Sequence, residues 1–342
     1  DWYVPLGADG YGVAIDPRDD NILYLMTQEG NLYRKDRRSD EGLNIRPLPA
    51  PGDPPERWNW DSPLLLSPHN PDRIYFGSQR LWRSEDRGNN WTAISGDLTR
   101  GANRYERRFM GRVWSVDALH DNAAMSKYAT LTAVTESPVK AGVLTVGTDD
   151  GLVQVSQDGG KTWAQAAPLP GLPPLSLINH LEASLYDAQT VYVAADAHKI
   201  GDFAPYLYES VDGGRTWRSI AGDLPKGSIV WSFQQDHVKP DLLFVGTESG
   251  IFFSINRGAR WIKLSGGVPT IPIRGLKIHR RDTDLVAASF GRGFFVLDDY
   301  SALRDFGDST LAEEVRLFPI RDAWWYVPSQ LGQATGRPEA GT

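Results

Sequence analysis

The sequence predicts an all-β fold in which small antiparallel sheets stand around a common axis, that is, a six- or seven-bladed β-propeller. Three observations predict it. The composition, with 34 Gly, 23 Pro and 12 Trp in 342 residues, favours many turns and aromatic anchors over long helices. A pattern of strand, polar turn and strand recurs six times. A tighter turn motif follows four of those copies at matching offsets.

Charge and composition exclude several classes of function. The 36 Lys and Arg against 43 Asp and Glu give a net charge of −7, which argues against a nucleic-acid binder, whose surface would carry a basic face. No apolar run approaches the ~18 residues of a membrane span. The absence of cysteine excludes disulfides, Cys-ligated zinc and thiol catalysis.

The six copies of the repeat place the blades. Their equivalent positions lie ~45–70 residues apart, a spacing typical of propeller blades with one large insertion. The copies occupy residues 13–24, 64–75, 133–144, 181–192, 232–243 and 276–287. We therefore expect a propeller over residues 1–325, with blades near 8–50, 58–96, 128–167, 175–222, 228–266 and 271–300. Residues 97–127 form an insertion, and residues 326–342 are predicted to be a linker or tail.

The tighter motif is Ser-x-Asp-x-Gly-x-x-Trp, and it spans a hairpin turn. The Asp side chain can accept backbone N–H groups of its own turn, and the Gly can take a positive φ. The Trp then returns along the next strand and buries its ring between sheets. The four copies are Ser84, Asp86, Gly88, Trp91; Ser156, Asp158, Gly160, Trp163; Ser210, Asp212, Gly214, Trp217; and Ser254, Asn256, Gly258, Trp261.

This motif is the Asp-box, or BNR repeat, and the chain resembles Asp-box β-propellers. These include sialidases, tandem-propeller xyloglucanases and the sortilin (VPS10) ectodomain. The strongest resemblance is to large secreted bacterial proteins described as sortilin-like or as BNR-repeat glycosyl hydrolases. Beyond the motif it rests on residues 58–69 (WNWDSPLLLSPH), 202–208 (DFAPYLY), 291–299 (GRGFFVLDD) and 317–322 (LFPIRD). Those relatives are longer, so the resemblance implies that this chain is one part of a larger protein.

Candidate residues for chemistry lie beside the predicted inner strands, because the ends of all blades converge at the axis. The resemblance implies that the Asp-boxes themselves are structural and lie on the rim. Asp61, Glu136, Asp149 and Glu248 are the candidate catalytic carboxylates. For ligand binding we nominate His180, Glu182, His198, Asp202, Tyr206 and Arg292.

Two of these histidines belong to pairs with period-two spacing, which places both members on one face of a strand. The pairs are His180 with Glu182 and Asp196 with His198. Such a pair could hold a metal with a ligand from another blade, but no third ligand is evident. We therefore expect no metal and no cofactor.

Sialidases clamp a carboxylate with three arginines from different blades, and only by assumption could Arg34, Arg274 and Arg292 be arranged in that way. The Phe-Arg-Ile-Pro start of that family is absent, and Ile271-Pro-Ile-Arg274 does not match it. A further basic cluster, Arg104, Arg107, Arg108 and Arg112, lies in the insertion and is either solvated or bound to an anionic partner.

Two functions remain open. The favoured one is an exported module that binds a protein, peptide or glycan through one face of the propeller. The alternative is a glycoside hydrolase, which requires two carboxylates ~5 Å apart for retention or ~6.5–9.5 Å apart for inversion. The resemblance implies a secreted, periplasmic or cell-surface location. The expected partners are the remainder of a larger protein and an extracellular protein or glycan, with no nucleic acid and no membrane span.

Overall fold

A computed structural model of the chain shows a β-propeller, which confirms the predicted fold class. It describes residues 3–109, 111–114, 127–319 and 321–322. The described strands form six radial sheets and one small hairpin, and the strands of every radial sheet follow one another in chain order. We number the sheets blade 1 to blade 6. The first strands of blades 3 to 6 contact one another in succession, so the first strand of each sheet lies innermost.

Blades 1 to 3 each contain four antiparallel strands. Blade 1 comprises β1 (Gly10–Ile15), β2 (Ile22–Thr27), β3 (Asn31–Asp36) and β4 (Gly42–Asn44). Blade 2 comprises β5 (Leu64–Leu66), β6 (Ile74–Gly77), β7 (Leu81–Ser84) and β8 (Thr92–Ala93). The insertion contributes the hairpin β9 (Arg108–Phe109) and β10 (Arg112–Val113). Blade 3 comprises β11 (Leu131–Glu136), β12 (Leu144–Thr148), β13 (Val153–Ser156) and β14 (Ala164–Gln165).

Blade 6 differs from the others because its described part has three strands. Blade 4 comprises β15 (Leu177–Ala183), β16 (Val191–Ala197), β17 (Asp202–Ser210) and β18 (Arg218–Ser219). Blade 5 comprises β19 (Val230–Gln235), β20 (Leu243–Thr247), β21 (Gly250–Ser254) and β22 (Ile262–Lys263). Blade 6 comprises β23 (Ile273–His279), β24 (Asp284–Ser289) and β25 (Phe294–Leu297).

Helices are short throughout the described residues. Four are 3₁₀ helices, and α1 (Asp308–Leu311) is a single α-helical turn. The 3₁₀ helices are Gln28–Gly30, Arg104–Glu106, His198–Ile200 and Tyr300–Arg304. None of the described helices has the length and apolar character needed to cross a bilayer. Met110, residues 115–126 of the insertion and the predicted tail at 326–342 lie outside the described residues.

The second strands show how each blade packs. β2, β6, β12, β16 and β20 are buried along their whole length. A strand that is buried on both faces needs apolar or small residues at every position, which explains continuous runs such as Leu243 to Val245. β24 of blade 6 alternates instead between buried and partly exposed residues. Blade 6 is therefore covered on one face.

Apolar clusters fill the five interfaces between consecutive blades. At the interface of blades 4 and 5, for example, the rings of Tyr192 and Phe233 stack with centroids 4.5 Å apart. Among the described residues, no such cluster joins blade 6 to blade 1. Apolar side chains at these two ends, such as Val13 and Phe294, are instead exposed.

The four motif tryptophans link each blade to the one before it. In every case the indole N–H donates to a backbone carbonyl just after the outer strand of the preceding blade. The pairs are Trp91 to Ile45 at 2.7 Å, Trp163 to Ile94 at 3.0 Å, Trp217 to Ala167 at 2.9 Å and Trp261 to Ile220 at 2.9 Å. Trp261 is buried, and the other three rings are partly buried. Blades are thus joined by a repeated hydrogen bond as well as by apolar packing.

The rest of the motif stabilises its own turn. In blade 4 the Ser210 hydroxyl donates to Asp212 at 2.8 Å and accepts the N–H of Gly214 at 2.8 Å. Asp212 also accepts the backbone N–H of Thr216 at 2.9 Å, and hydrogen bonds from Thr216 lower the pKa of this carboxyl to about 2. The glycine is required on two counts at Gly258, where φ is +80° and a Cβ would lie 2.7 Å from Ile220.

Candidate functional site

One face of the propeller gathers most of the nominated residues. We call it the upper face, and define it by the residues around the start of each first strand and by the loops that join second and third strands. These two regions meet because the first and second strands of each blade are antiparallel, so the start of the first strand lies beside the end of the second. Val230 pairs with Thr247 in blade 5 and Ile273 pairs with Ser289 in blade 6. Asp61, Asp149, His198, Glu248 and Arg292 lie on this face.

An aromatic and charged group occupies the upper face at blades 4 to 6. The Trp231 indole N–H donates to Glu248 Oε2 at 2.7 Å. The Arg274 guanidinium carbon lies 3.5 Å from the centroid of the Trp231 ring and 5.4 Å from that of Phe290. The His198 ring meets the edge of Trp231, with centroids 6.1 Å apart. We call these five residues the Trp231 cluster.

The cluster combines charged groups with aromatic rings. Burial lowers the pKa of Arg274, while the carboxylates of Glu248 and Asp196 act in the opposite direction. The guanidinium remains a cation, and it stacks on an electron-rich ring. Phe290 is 68% exposed beside it. The cluster thus offers an exposed aromatic surface, a cation and a carboxylate within one patch.

Asp196 orients His198. The Asp196 carboxylate is buried and accepts the backbone N–H of His198 at 2.8 Å, and it also contacts His198 Nδ1. This contact favours a proton on Nδ1, and it fixes the imidazole against Trp231. The strand ends at Ala197 and His198 begins a 3₁₀ helix, so the two residues do not share a strand face as the spacing predicted. The turn instead brings His198 onto Asp196, which braces the ring locally.

Asp149 is buried between blades 2 and 3. It accepts the backbone N–H and the hydroxyl of Thr130, both at 2.8 Å, and the Asn59 amide at 3.4 Å. Burial raises the pKa of this carboxyl to about 7, against the hydrogen bonds from Thr130 that lower it. Both carboxylate oxygens already have donors, so the contacts of Asp149 support the joint between two blades.

A small cavity adjoins Asp149 and Asp196. Tyr128, Lys199 and the insertion residue Arg107 also line it. Its volume is about 30 Å³, which holds a water molecule and is too small for a sugar ring or a side chain. The cavity thus has room for one water molecule beside two buried carboxylates.

Asp61 differs from Asp149 in its exposure. It precedes β5, and its side chain reaches solvent, yet protein surrounds it closely enough that burial raises the pKa of the carboxyl to about 6. Within the described part of the chain its side chain has no hydrogen-bond partner, although its backbone N–H donates to Asn59 at 2.9 Å. Of the four candidate catalytic carboxylates, Asp61 has the properties closest to those of a general acid.

Glu136 lies at the opposite end of its strand, on the face that we call the lower face. It is buried and accepts the Ser67 hydroxyl at 2.6 Å, the Tyr75 hydroxyl at 3.3 Å and the Gly142 N–H at 2.9 Å. These bonds join blades 2 and 3. A catalytic role for Glu136 stays a prediction that its surroundings do not favour.

The His180 and Glu182 side chains share a face of β15, with His180 Nε2 and Glu182 Oε2 3.7 Å apart. Glu182 also accepts the backbone N–H of Gln235 at 3.0 Å and the amide of Gln234. Glu182 therefore bridges blades 4 and 5, and no third metal ligand joins the pair among the described residues.

Among the described residues, one group has the geometry of metal ligands, namely His279, Asp282 and Asp284. It lies in blade 6, at the turn between β23 and β24. Its carboxylates pair with Arg281 and Arg321. Two cations already neutralise this group.

The remaining nominated residues are separate from one another. The Tyr206 hydroxyl donates to Asp202 at 2.7 Å, and burial raises the pKa of Tyr206 to about 12. Arg292 is exposed in the loop between β24 and β25. Arg34 bonds to the carbonyl of Arg87 at 2.6 Å in a turn of the lower face. The structure does not bring the three arginines Arg34, Arg274 and Arg292 together as a sialidase clamp requires.

Sequence reasoning missed Trp231 and Phe290. Neither belongs to a repeated motif, and Arg274 was considered for a different role. The signal that could have found them is positional, since Trp231 and Arg274 both follow the first residue of an inner strand. Equivalent positions in neighbouring blades of a propeller face one another.

Comparisons with known proteins show what the chain is similar to. The sequence matches no family model. It is 25% identical over 232 residues to an oligoxyloglucan-reducing end-specific xyloglucanase of Emericella nidulans, which covers 64% of this chain and 25% of that protein. It is 32% identical over 155 residues to a vacuolar protein sorting/targeting protein 10 of Arthroderma gypseum, covering 42% of this chain and 9% of that protein.

Solved structures agree on the fold. A GH74 xyloglucanase of Xanthomonas campestris superposes with a TM-score of 0.60 at 21% identity, over 86% of this chain and 45% of that one. A GH74 enzyme of Niastella koreensis gives 0.57 at 19% identity, over 85% and 45%. This chain spans less than half the length of these relatives. It is a β-propeller related to xyloglucanases and to Vps10 sorting proteins.

Proposed function

We propose that this chain is a binding module of a larger exported protein, and that the Trp231 cluster takes a glycan or peptide segment. The observation that carries the proposal is the exposed Phe290 beside the stacked Arg274 and Trp231. Apolar ring faces flanked by a few fixed polar groups suit sugars and peptides, which present apolar faces and hydroxyl or amide groups together.

The carboxylates support binding over catalysis. Asp149 and Glu136 have their oxygens occupied by donors from the protein, and Glu248 accepts the Trp231 N–H. These contacts stabilise blades or hold the cluster, and none leaves a pair of carboxylates facing one open space. The four Asp-box turns lie at the lower end of their blades, away from this cluster, and the hydrogen bonds of their Ser and Asp side chains stay within each turn.

Binding can be measured by titration calorimetry, with xyloglucan oligosaccharides as the first ligands because related proteins are named for that substrate. A mixed peptide library provides the second ligand class. We expect Phe290→Ala and Arg274→Gln each to weaken binding about tenfold, since a stacked or cation–π contact contributes on the order of 1 kcal/mol. Tyr186→Ala, at an exposed ring on the lower face, is the matched control. Unchanged affinity in both cluster variants would contradict the assignment.

A second candidate function is glycoside hydrolysis, and Asp61 is the observation that favours it. An exposed carboxyl whose pKa is about 6 can donate a proton near neutral pH. Because this chain spans less than half of the solved xyloglucanases, we expect the second carboxylate to come from another part of a longer protein. Release of oligosaccharides by this chain, abolished by Asp61→Asn and retained by Asp97→Asn, would favour the hydrolase over the binding module.

A further inference from the structure

Cations without carboxylate partners gather on the upper face beside the Trp231 cluster. Arg108 and Arg112 of the insertion hairpin and Lys199 of blade 4 are exposed, and Arg107 is half-buried. Within the described part of the chain none of these four side chains forms an ion pair with a carboxylate. We call these four residues the upper cations.

The surrounding charges leave the upper cations available to a ligand. On the lower face Glu209 binds both Arg218 and Arg257, at 2.6 and 2.7 Å. The carboxylates that line the cavity beside the upper cations, Asp149 and Asp196, are instead buried and already accept hydrogen bonds from the protein. The upper cations therefore form a local positive surface on a chain whose net charge is −7.

This positive surface is continuous with the Trp231 cluster. Arg107, Arg108 and Lys199 line the same small cavity. Strand β9 of the insertion contacts the 3₁₀ helix His198–Ile200, and His198 meets the edge of Trp231. A ligand that lies on the Trp231 cluster can thus extend over the upper cations toward the insertion hairpin.

The geometry of these cations suits carboxylates. The Arg112 guanidinium carbon lies 3.6 Å from the centroid of the Trp114 ring, and that of Arg107 lies 5.6 Å from the centroid of Tyr128. A guanidinium stacked on a ring keeps its N–H donors in the plane of the fork, which binds a carboxylate through two parallel hydrogen bonds.

Two other anionic ligands fit this face less well. The net negative charge of the chain opposes a long polyphosphate such as a nucleic acid. Extended peptides bind along free strand edges, whereas the upper face presents strand ends and loops. A glycan that carries carboxylates matches both the aromatic surface and the cations.

We propose that the upper face binds an acidic polysaccharide, whose sugar rings lie on the Trp231 cluster and whose uronate carboxylates contact the upper cations. This inference rests on the proposed binding function and specifies the ligand of that same site.

Two oligosaccharides that differ only in charge test the inference. Oligogalacturonate carries a carboxylate on every sugar, and its methyl ester carries none. By titration calorimetry at low ionic strength we expect the acid form to bind at least tenfold more tightly. The difference should disappear in 1 M salt, where the Debye length is about 3 Å. Polyglutamate provides the acidic peptide, and we expect it to bind at least tenfold more weakly than oligogalacturonate.

A pair of double variants locates the contact. Arg108→Gln combined with Lys199→Gln should weaken the binding of oligogalacturonate at least tenfold and leave that of the methyl ester unchanged. The matched control combines Arg260→Gln with Lys161→Gln, which removes the same two kinds of charge from exposed positions in Asp-box turns of the lower face. We expect the control to bind oligogalacturonate as the unmodified chain does.

The outcomes separate this inference from the proposed function. Equal affinity for the acid and its ester, or for the two double variants, overturns the acidic ligand. The proposed glycan site still stands in that case if Phe290→Ala weakens the binding of a neutral oligosaccharide. Polyglutamate that binds as tightly as oligogalacturonate would show that the sugar rings contribute nothing, which also overturns the inference. If no glycan binds, both proposals fail.

Discussion

Replacing Trp261 by Ala tests the contact that joins blades 4 and 5. The indole is 6% exposed, packs with Phe233 and Val245, and donates to Ile220 O at 2.9 Å. A Trp side chain buries about 150–250 Å², which at ~25 cal/mol per Å² gives ~4–6 kcal/mol as an upper value. Measured Trp→Ala changes in protein cores cost ~3–5 kcal/mol. We expect the free energy of unfolding to fall by ~4 kcal/mol.

Two companion variants separate packing from hydrogen bonding. Trp261→Phe retains much of the ring and loses the bond to Ile220 O, so it should cost ~1–2 kcal/mol. Trp217→Ala removes the same hydrogen bond at a more exposed ring and should cost less than Trp261→Ala. Urea unfolding followed by far-UV circular dichroism measures all three. The reasoning is refuted if Trp261→Ala costs under ~1 kcal/mol, or if Trp261→Phe costs as much as Trp261→Ala.

Three further predictions follow from single residues. Gly258→Ala should destabilise the protein by at least ~2 kcal/mol more than Gly267→Ala. Both glycines have a positive φ near 80°, but only at Gly258 would a Cβ meet another residue, Ile220, at 2.7 Å. Comparing the urea midpoints of the two variants checks this. The pKa of Asp149 is raised to about 7 in the folded protein, against 3.8 in the unfolded chain. Between pH 4 and 7 the folded state therefore binds more protons than the unfolded state. The free energy of unfolding should fall as the pH rises through that range, by up to ~4 kcal/mol. Asp149→Asn should reduce this slope, and an unchanged slope in urea titrations at pH 5, 6 and 7 would contradict the assignment. Glu136→Gln keeps the shape but weakens three hydrogen bonds to a buried carboxylate, so we expect a loss of ~1–3 kcal/mol in unfolding experiments with no change in ligand affinity.

The repeated turn explains why the fold was predictable. Ser210, Asp212 and Gly214 interact with one another over four residues, and such local geometry is visible as fixed spacing in the sequence. Four copies then require four similar hairpins, and sheets of that size must pack against one another to bury both faces. Asp196 and His198 are also close in the sequence, but they meet across the turn that follows the strand and not along one strand face.

The candidate site was less predictable because its contacts join distant parts of the chain. Trp231 and Arg274 are 43 positions apart, and Trp231 and His198 are 33 apart, in three different blades. No spacing rule specifies which positions meet across two sheets. The same limit applies to Glu136. Its position beside an inner strand suggested a catalytic role, but only the structure shows that Ser67 and Tyr75 of blade 2 donate hydrogen bonds to it.

By itself the sequence determined the all-β class, the repeated hairpins and the absence of cysteine chemistry, since each depends on composition or on residues within one turn. Only the tertiary structure decided which side chains share a surface, because burial and proximity arise when separate sheets pack. That packing exposes Phe290 beside Arg274 and Trp231, gives the carboxyls of Asp61 and Asp149 raised pKa values, and leaves one face of blade 6 uncovered.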